Sequence, residues 1–590
     1  MDSPKHFLIV GLNIHEVTHT MMSDRTTMRS RPAGHTNSSA RKQRSLILAV
    51  SAIFAVFATF GAVFLTQNTA PRKIPNSSKD LRSKSSQKQA LTNIKTSLST
   101  YGVVSSQIVN QNKLPGTTAW KITSSPATGY IQGFANKTYA KAGDSVTLYI
   151  SSTTSTFRVY AYRMGYYQGK GGRLIWTSPA ETGSVQPTCP LTPATNMVSC
   201  DNWTPSVTLK ITKAFFQGDY LFKLVGSGGQ QSYIPLTVWN PSSKATYLIK
   251  NDIFTWQAWN PYGGYDFYAG QGTCPPNHYP LCSRARVVSF DRPYAYGAGA
   301  ADFMANEYPL VRFMEKHGLN VAYANDQTVI EHPSILTNHV AILSLGHDEC
   351  WSYRERVAAK QAKNQGVNFI FFGASAMLRH VRLQPSPLGA NRQEVDYRNS
   401  SKDPLNGKGN PLEVTGNTWM SPPASWPETG FVGESYAGYL LNGATPTPFV
   451  VANASAWIFK GTGLKNGSSI PGVLLSDFDH FYLPNPHPSN LEILGHSPIP
   501  VNRVITDLGT QNGYAYSDMT YYTSSTSNAG VFDSGTNNWI NSLNSCSSAT
   551  ANCPAPMTRK ITGNLFWLFG QGPTGKLIPS VANFTNFYPN

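Results

Sequence analysis

Twenty consecutive residues, Leu46 to Leu65 (LILAVSAIFAVFATFGAVFL), carry no charge. As a helix they would span about 30 Å, the thickness of a bilayer's hydrocarbon core. Cleaved signal peptides have shorter apolar cores of about 7–15 residues, so the run reads as a retained anchor. Arg41, Lys42 and Arg44 precede it, and Arg72, Lys73 and Lys79 follow it, so flanking charge alone nearly balances. The expectation is a disordered cytoplasmic tail over 1–45, a transmembrane helix over 46–65 and a Ser/Lys/Gln-rich linker over 66–118.

The cysteines decide the orientation. Six of the seven fall into three close pairs: Cys189/Cys200, Cys274/Cys282 and Cys546/Cys553. Each pair sits in a Pro/Ser/Thr/Asn-rich stretch, and none has the CxxC spacing of a metal site. Short loops closed by paired cysteines suit an oxidising compartment, so everything beyond the anchor is expected outside the cytoplasm, in a single-pass cell-membrane protein. Cys350 is left over as a free thiol.

The net charge of +17 would suggest nucleic acid if it were spread over the fold. It is not: ten of those charges lie in the first hundred residues, flanking the apolar run. Contact with anionic lipid or envelope polymer accounts for it better, and no nucleic-acid partner is expected. An oligomer is compatible with the sequence but not specified by it.

From 119 to 243 the period is two. SVTLYI (Ser145–Ile150), FRVYAY (Phe157–Tyr162), Val207–Ile211 and Tyr220–Leu224 alternate, with AGD, GKGG and QGD turns between them. Short strands at this spacing point to an Ig-like β-sandwich. From 244 to 590 the pattern becomes α/β. Tyr308–Lys316 places Leu310, Phe313, Met314 and His317 on one helical face, and Gly318 stops it. Val340–Leu345 and Val367–Phe372 are continuous apolar strands around a helix that Ser352 caps, which makes a βαβ unit. The Pro/Gly/Asn-rich stretch from about 383 to 470 reads as surface excursions or a small β insertion. The fold class expected is therefore α+β multidomain.

Open α/β sheets bind ligands at the C-terminal ends of their parallel strands. One such end is Gly346-His347-Asp348-Glu349-Cys350, which offers an acid/base candidate, two carboxylates and a thiol. Another is Gly373-Ala374-Ser375, which lacks a G-x-S-x-G context and so does not favour a serine hydrolase. Asp477, Asp479 and His480 follow the apolar GVLL and could do acid/base work or bind a metal. The aromatic run TWQAWNPYGGYDFY (Thr255–Tyr268) could wall an apolar or sugar-like ligand, as could Tyr521, Tyr522 and Trp539; core packing explains them equally simply. Walker loops, GxGxxG after a strand and HExxH are absent.

FRVYAYRMGYYQGKGGRL, WQAWNPYGGYDFY, RARVVSFDRPY, EYPLVRFMEKHGLNVAYAND, LGHDECWS, GVNFIFFGAS and DMTYYTSSTSNAGVFDSGTNNW occur in this order. With them the chain resembles the N,N-dimethylformamidase large (beta) subunit family, C-terminal domain. The resemblance implies an Ig-like domain followed by a glutamine-amidotransferase-like α/β domain. It also implies a single iron held by two tyrosines and a glutamate, and hydrolysis of a small amide. The chain departs from that pattern: Cys350 stands where the family usually has Tyr, and Asp477 where a Glu is expected. Tyr308 or Tyr323 would supply a tyrosine ligand, and no small partner subunit is visible.

The expected site therefore has His347, Glu349 and Asp348 as catalytic residues and Cys350, Asp477 and Tyr323 as ligands of a single metal ion, iron in the family. The expected function is a membrane-anchored hydrolase of linear amide C–N bonds. The alternative is a family member that binds an envelope polymer without chemistry.

Overall fold

The computed structural model describes residues 96–123, 130–272, 281–441, 443–546 and 553–588. The tail, the Leu46–Leu65 run and the first part of the linker lie outside these residues. Among the described residues, no helix is long and apolar enough to cross a membrane. The chain is a mixed α+β protein with many sheets and few helices.

The linker expected over 66–118 is not without structure where it is described. Thr96–Ser99 and Gly102–Ser105 form a hairpin, followed by the helix Ser106–Lys113. Ser105 caps the helix through its hydroxyl, which accepts from the Gln107 N–H, and Ile108 and Asn112 bury one face. Polar composition hid this element: a cap and one buried apolar residue suffice once a neighbouring surface is there to cover them.

Alternation explains the β region. One sheet holds Ile131–Ala135, Ser145–Ser152 and Val207–Lys210, and a second is built on Thr156–Met164, Gly218–Gly226 and Gln231–Val238. Residues from both sheets, among them Leu148, Ile150, Leu209, Val159, Phe222 and Ile234, share one core. The result is a β-sandwich.

The α/β part is built on seven strands: β1 (Tyr247–Asn251), β2 (Val321–Asn325), β3 (Ala341–Ser344), β4 (Asn368–Phe371), β5 (Glu492–Pro500), β6 (Tyr514–Thr523) and β7 (Gly530–Asp533). Their order is β2-β1-β3-β4-β7-β6-β5, with the first five parallel and β6 antiparallel to both of its neighbours, β7 and β5. The expected βαβ unit is β3, α3 (Tyr353–Asn364) and β4, and Ser352 caps α3. After the short helix Ile253–Ala258, α1 is Tyr308–Lys316, as read from its periodicity, and it buries Leu310, Phe313 and Met314; α2 is Asp326–Glu331. Alternate strand residues enter two cores: Ile249, Leu343 and Ile370 face α1 residues Leu310 and Phe313, while Leu248, Ile342 and Phe369 face α3 residues Ala358, Ala359 and Ala362. That double burial is why these strands read as continuous apolar runs.

The stretch after β4 mixes short strands with long loops and 3-10 turns. Arg379–Ser386 and Gly389–Val395 form a hairpin within a four-stranded sheet with Val287–Ser289 and Cys350–Ser352. Tyr521, Tyr522 and Trp539 are core residues. Cys189–Cys200 and Cys546–Cys553 are disulfides, Cys350 is free and buried, and Cys282 is disulfide-bonded. Cys274, its expected partner, lies outside the described residues.

Candidate functional site

The loops after β3 and β4 meet where two glycines allow it. A Cβ on Gly373 would lie 1.5 Å from the Gly346 carbonyl oxygen, and Gly346 has a left-handed φ of 30°. Only glycine lets these two strand ends approach so closely. The loop after Gly346 is fixed from the other side by Thr255, whose Oγ1 accepts from the backbone N–H of both Glu349 and Cys350, at 3.0 Å each.

This geometry sends the side chains of His347, Asp348 and Glu349 to different places. His347 Nε2 lies 3.4 Å from Asp477 Oδ2 and 3.5 Å from Glu349 Oε2. Burial pulls the imidazole down in pKa, but Asp477 close to Nε2 and the charges of Asp477, Glu349 and Asp302 outweigh it and lift the pKa to about 9. His347 is therefore an imidazolium at neutral pH.

Glu349 is saturated with donors. Its Oε1 accepts from Arg379 Nε at 3.0 Å; its Oε2 accepts from Trp259 Nε1 at 3.0 Å and from the Tyr268 hydroxyl. Tyr268 is clamped between the Trp259 ring, stacked at 3.6 Å, and the Arg398 guanidinium, 4.3 Å from its centroid. Burial alone would raise the Glu349 pKa; Arg379 and His347 hold it below the usual carboxylate value.

Asp348 turns away from His347. Its Oδ2 lies 2.8 Å from Lys250 Nζ, in a buried cluster with Asp326, Glu355 and Asp252. It is a buried ion-pair partner of Lys250. Cys350 lies in the core, where burial and then Glu394 and Glu349 push its thiol well up, away from thiolate. Tyr323 lies elsewhere: its hydroxyl donates to Glu315 Oε1 at 2.7 Å, beside the fully buried Arg163–Glu315 pair. Tyr308 donates to the Gly171 carbonyl at 2.8 Å. Asp477 alone of the expected ligands joins His347. It also accepts from Ser375 Oγ at 3.1 Å, while the Ser375 N–H donates to Asp479 Oδ1 at 2.7 Å. Ser375 has a left-handed φ of 62° but is buried, with its hydroxyl on a carboxylate rather than on the histidine.

His347 forms part of the wall of an open cavity of about 360 Å³. Trp259, Tyr296, Asp302 and Asn537 share that wall. Burial raises the Asp302 pKa, and His347 offsets part of the rise. Sequence reading missed Asp302 and Arg379, which stand in no motif; Asn537 lay within the DMTYYTSSTSNAGVFDSGTNNW stretch, and Trp259 and Tyr268 within the aromatic run already singled out.

Residues 158–554, more than half of the chain, match the family model described as N,N-dimethylformamidase beta subunit-like, C-terminal. The chain belongs to this family. No curated protein matches it. The matched residues include the sandwich strands from Arg158 onward and every side chain placed above around His347.

The family's iron can be tested against this family member's own donors. Cys350, Asp477 and Tyr323 do not converge, and among the described residues no group of three or more His, Cys, Asp or Glu side chains is placed to hold a metal ion. Glu349, the carboxylate beside Tyr268, already has Arg379, Trp259 and Tyr268 on its oxygens. The ligand set read from the sequence does not fit a single metal ion.

Proposed function

We propose that this chain hydrolyses an amide C–N bond in the cavity at the C-terminal ends of β3, β4 and β7. The observation that carries the reading is His347, on the cavity wall with two carboxylates behind its Nε2. Family membership supplies the reaction class. Glu349 and Asp477 are positioning residues: they orient the ring and keep it charged, and the edge of the ring turned from them faces substrate.

Asp302 lines the same cavity, and each of the two groups feels the other's charge. Two titratable groups on one wall divide the roles of acid and base. A water oxygen attacks the carbonyl carbon as Asp302 takes its proton. The C–N bond breaks as His347 delivers its proton to the nitrogen, and a carboxylic acid and an amine leave. Net proton transfer from Asp302 to His347 through solvent resets the site.

We further read residues 46–65 as a membrane anchor, with the Ig-like sandwich and the amidotransferase-like α/β part outside the cytoplasm. The paired cysteines support that side. One observation favours the alternative of envelope-polymer binding without chemistry: the expected ligand set does not assemble. Amine release by the full-length chain separates the two readings. Hydrolysis that falls at least about 100-fold in both His347→Gln and Asp302→Asn supports the acid–base pair. No amine release from any amide by the wild type leaves the binding role.

A further inference from the structure

The cavity's remaining lining indicates what kind of amide it takes. Tyr296 presents a ring, with its hydroxyl tied back to the Trp256 carbonyl at 2.9 Å, and Trp259 presents a second ring. Between them stand Asn306, Asn537, Asn541 and Ser476. Asn537 Oδ1 accepts from the Ala374 N–H at 2.7 Å, and Asn541 Oδ1 accepts from Asn544 at 3.4 Å. Their Nδ2 groups, and both amide atoms of Asn306, have no hydrogen-bond partner among the described residues. These amide groups line the cavity and are free to hydrogen-bond a ligand there.

Size points the same way. Pockets of about 300–1,000 Å³ enclose ligands of drug or sugar size, and about 360 Å³ far exceeds the needs of a two- or three-carbon amide. Flat rings suit the apolar face of a pyranose, and asparagine amides suit its hydroxyls, as donor and acceptor together. A purely apolar ligand would leave these amides without partners. We propose that the cavity binds an N-acylated amino sugar, the class of ligand that joins a hydroxyl-rich ring to an amide C–N bond. The proposal rests on the C–N hydrolase reading of the same site and narrows its substrate.

The test uses the full-length chain in detergent and a trimer of N-acetylglucosamine as the probe, with calorimetry for binding and acetate release for chemistry. The glucosamine trimer and N,N-dimethylformamide are the comparison compounds. The acetylated trimer is expected to bind in the micromolar to low millimolar range. Tyr296→Ala and Asn306→Ala are expected to weaken it at least tenfold, with Tyr296→Phe close to wild type and unchanged melting temperatures as the folding control. Binding without acetate release would sustain the ligand class and overturn the hydrolase reading. Cleavage of dimethylformamide without binding of the trimer would sustain the hydrolase reading and overturn the sugar. Trimer binding that neither substitution weakens would also overturn it.

Discussion

Asp348 and Glu349 are neighbours in the chain that pair with different cations: Asp348 Oδ2 lies 2.8 Å from Lys250 Nζ, and Glu349 Oε1 lies 3.0 Å from Arg379 Nε. The first pair belongs to the buried strand layer and the second to the cavity's supporting shell. Lys250 is the cation shared by Asp326, Asp348, Glu355 and Asp252, and it also lies over the Trp351 ring at 4.5 Å. Lys250→Met should cost about 3–5 kcal/mol, because it strands buried carboxylates without a partner. Chemical denaturation measures it. Asp348→Asn should change the denaturation midpoint more than the hydrolysis rate; the reverse pattern would place Asp348 in the site.

Acid stability should follow two histidines. Burial holds His339 down to about 4 and His380 to about 3. In the unfolded chain both titrate near 6.5, so below that pH the unfolded state binds more protons. Their stability contribution is complete above about 6.5 and is lost as pH falls toward 3. His347, lifted to about 9, acts in the opposite sense: its contribution is present below 6.5 and is lost as pH rises through 9. Denaturation midpoints from pH 4 to 10 should therefore form a dome. Replacing His339 with Gln should flatten its acid side; an unchanged acid side would contradict the assignment.

Ser375 should not be the nucleophile. Its hydroxyl donates to Asp477 and its backbone N–H to Asp479, at the end of a strand whose next residues are fully packed. Ser375→Ala should keep hydrolysis within about tenfold of wild type, since only a hydrogen bond to a positioning carboxylate is lost. A loss of a thousandfold or more, or a covalent adduct on Ser375 found by mass spectrometry, would reverse this view.

Peptide mapping without reduction should recover Cys189–Cys200, Cys546–Cys553 and a link from Cys282 to Cys274, with Cys350 as the unmodified thiol. The first two close loops with sequence separations of 11 and 7, and each should contribute about 2–3 kcal/mol on a chain-entropy account. Any cross-link to Cys350 would be incompatible with its burial.

Much of the framework could be read from periodicity, because local pattern and buried face coincide in β3, α3, β4 and α1. His347 and Asp477 could be singled out because each follows an apolar strand, and the structure brings the two together. What could not be read is which way each side chain turns once Gly346 and Gly373 bring two loops together: nothing local separates Asp348, bound to Lys250, from Glu349, bound to Arg379. Tyr323 was misplaced for a related reason. It sits on a parallel strand in register with Ile249, but its hydroxyl meets Glu315 of α1 rather than the cavity. Asp302 and Asn306 follow no motif, because a wall gathered from separate loops leaves no spacing in the sequence.

The pH dependence of amide hydrolysis tests the central claim most directly, with wild type and His347→Gln compared from pH 5 to 11. If His347 is the acid, the wild-type rate falls as pH rises past about 9, and His347→Gln is slower by at least about 100-fold with no such limb. A His347→Gln enzyme that keeps the wild-type rate and the same alkaline limb would contradict the account.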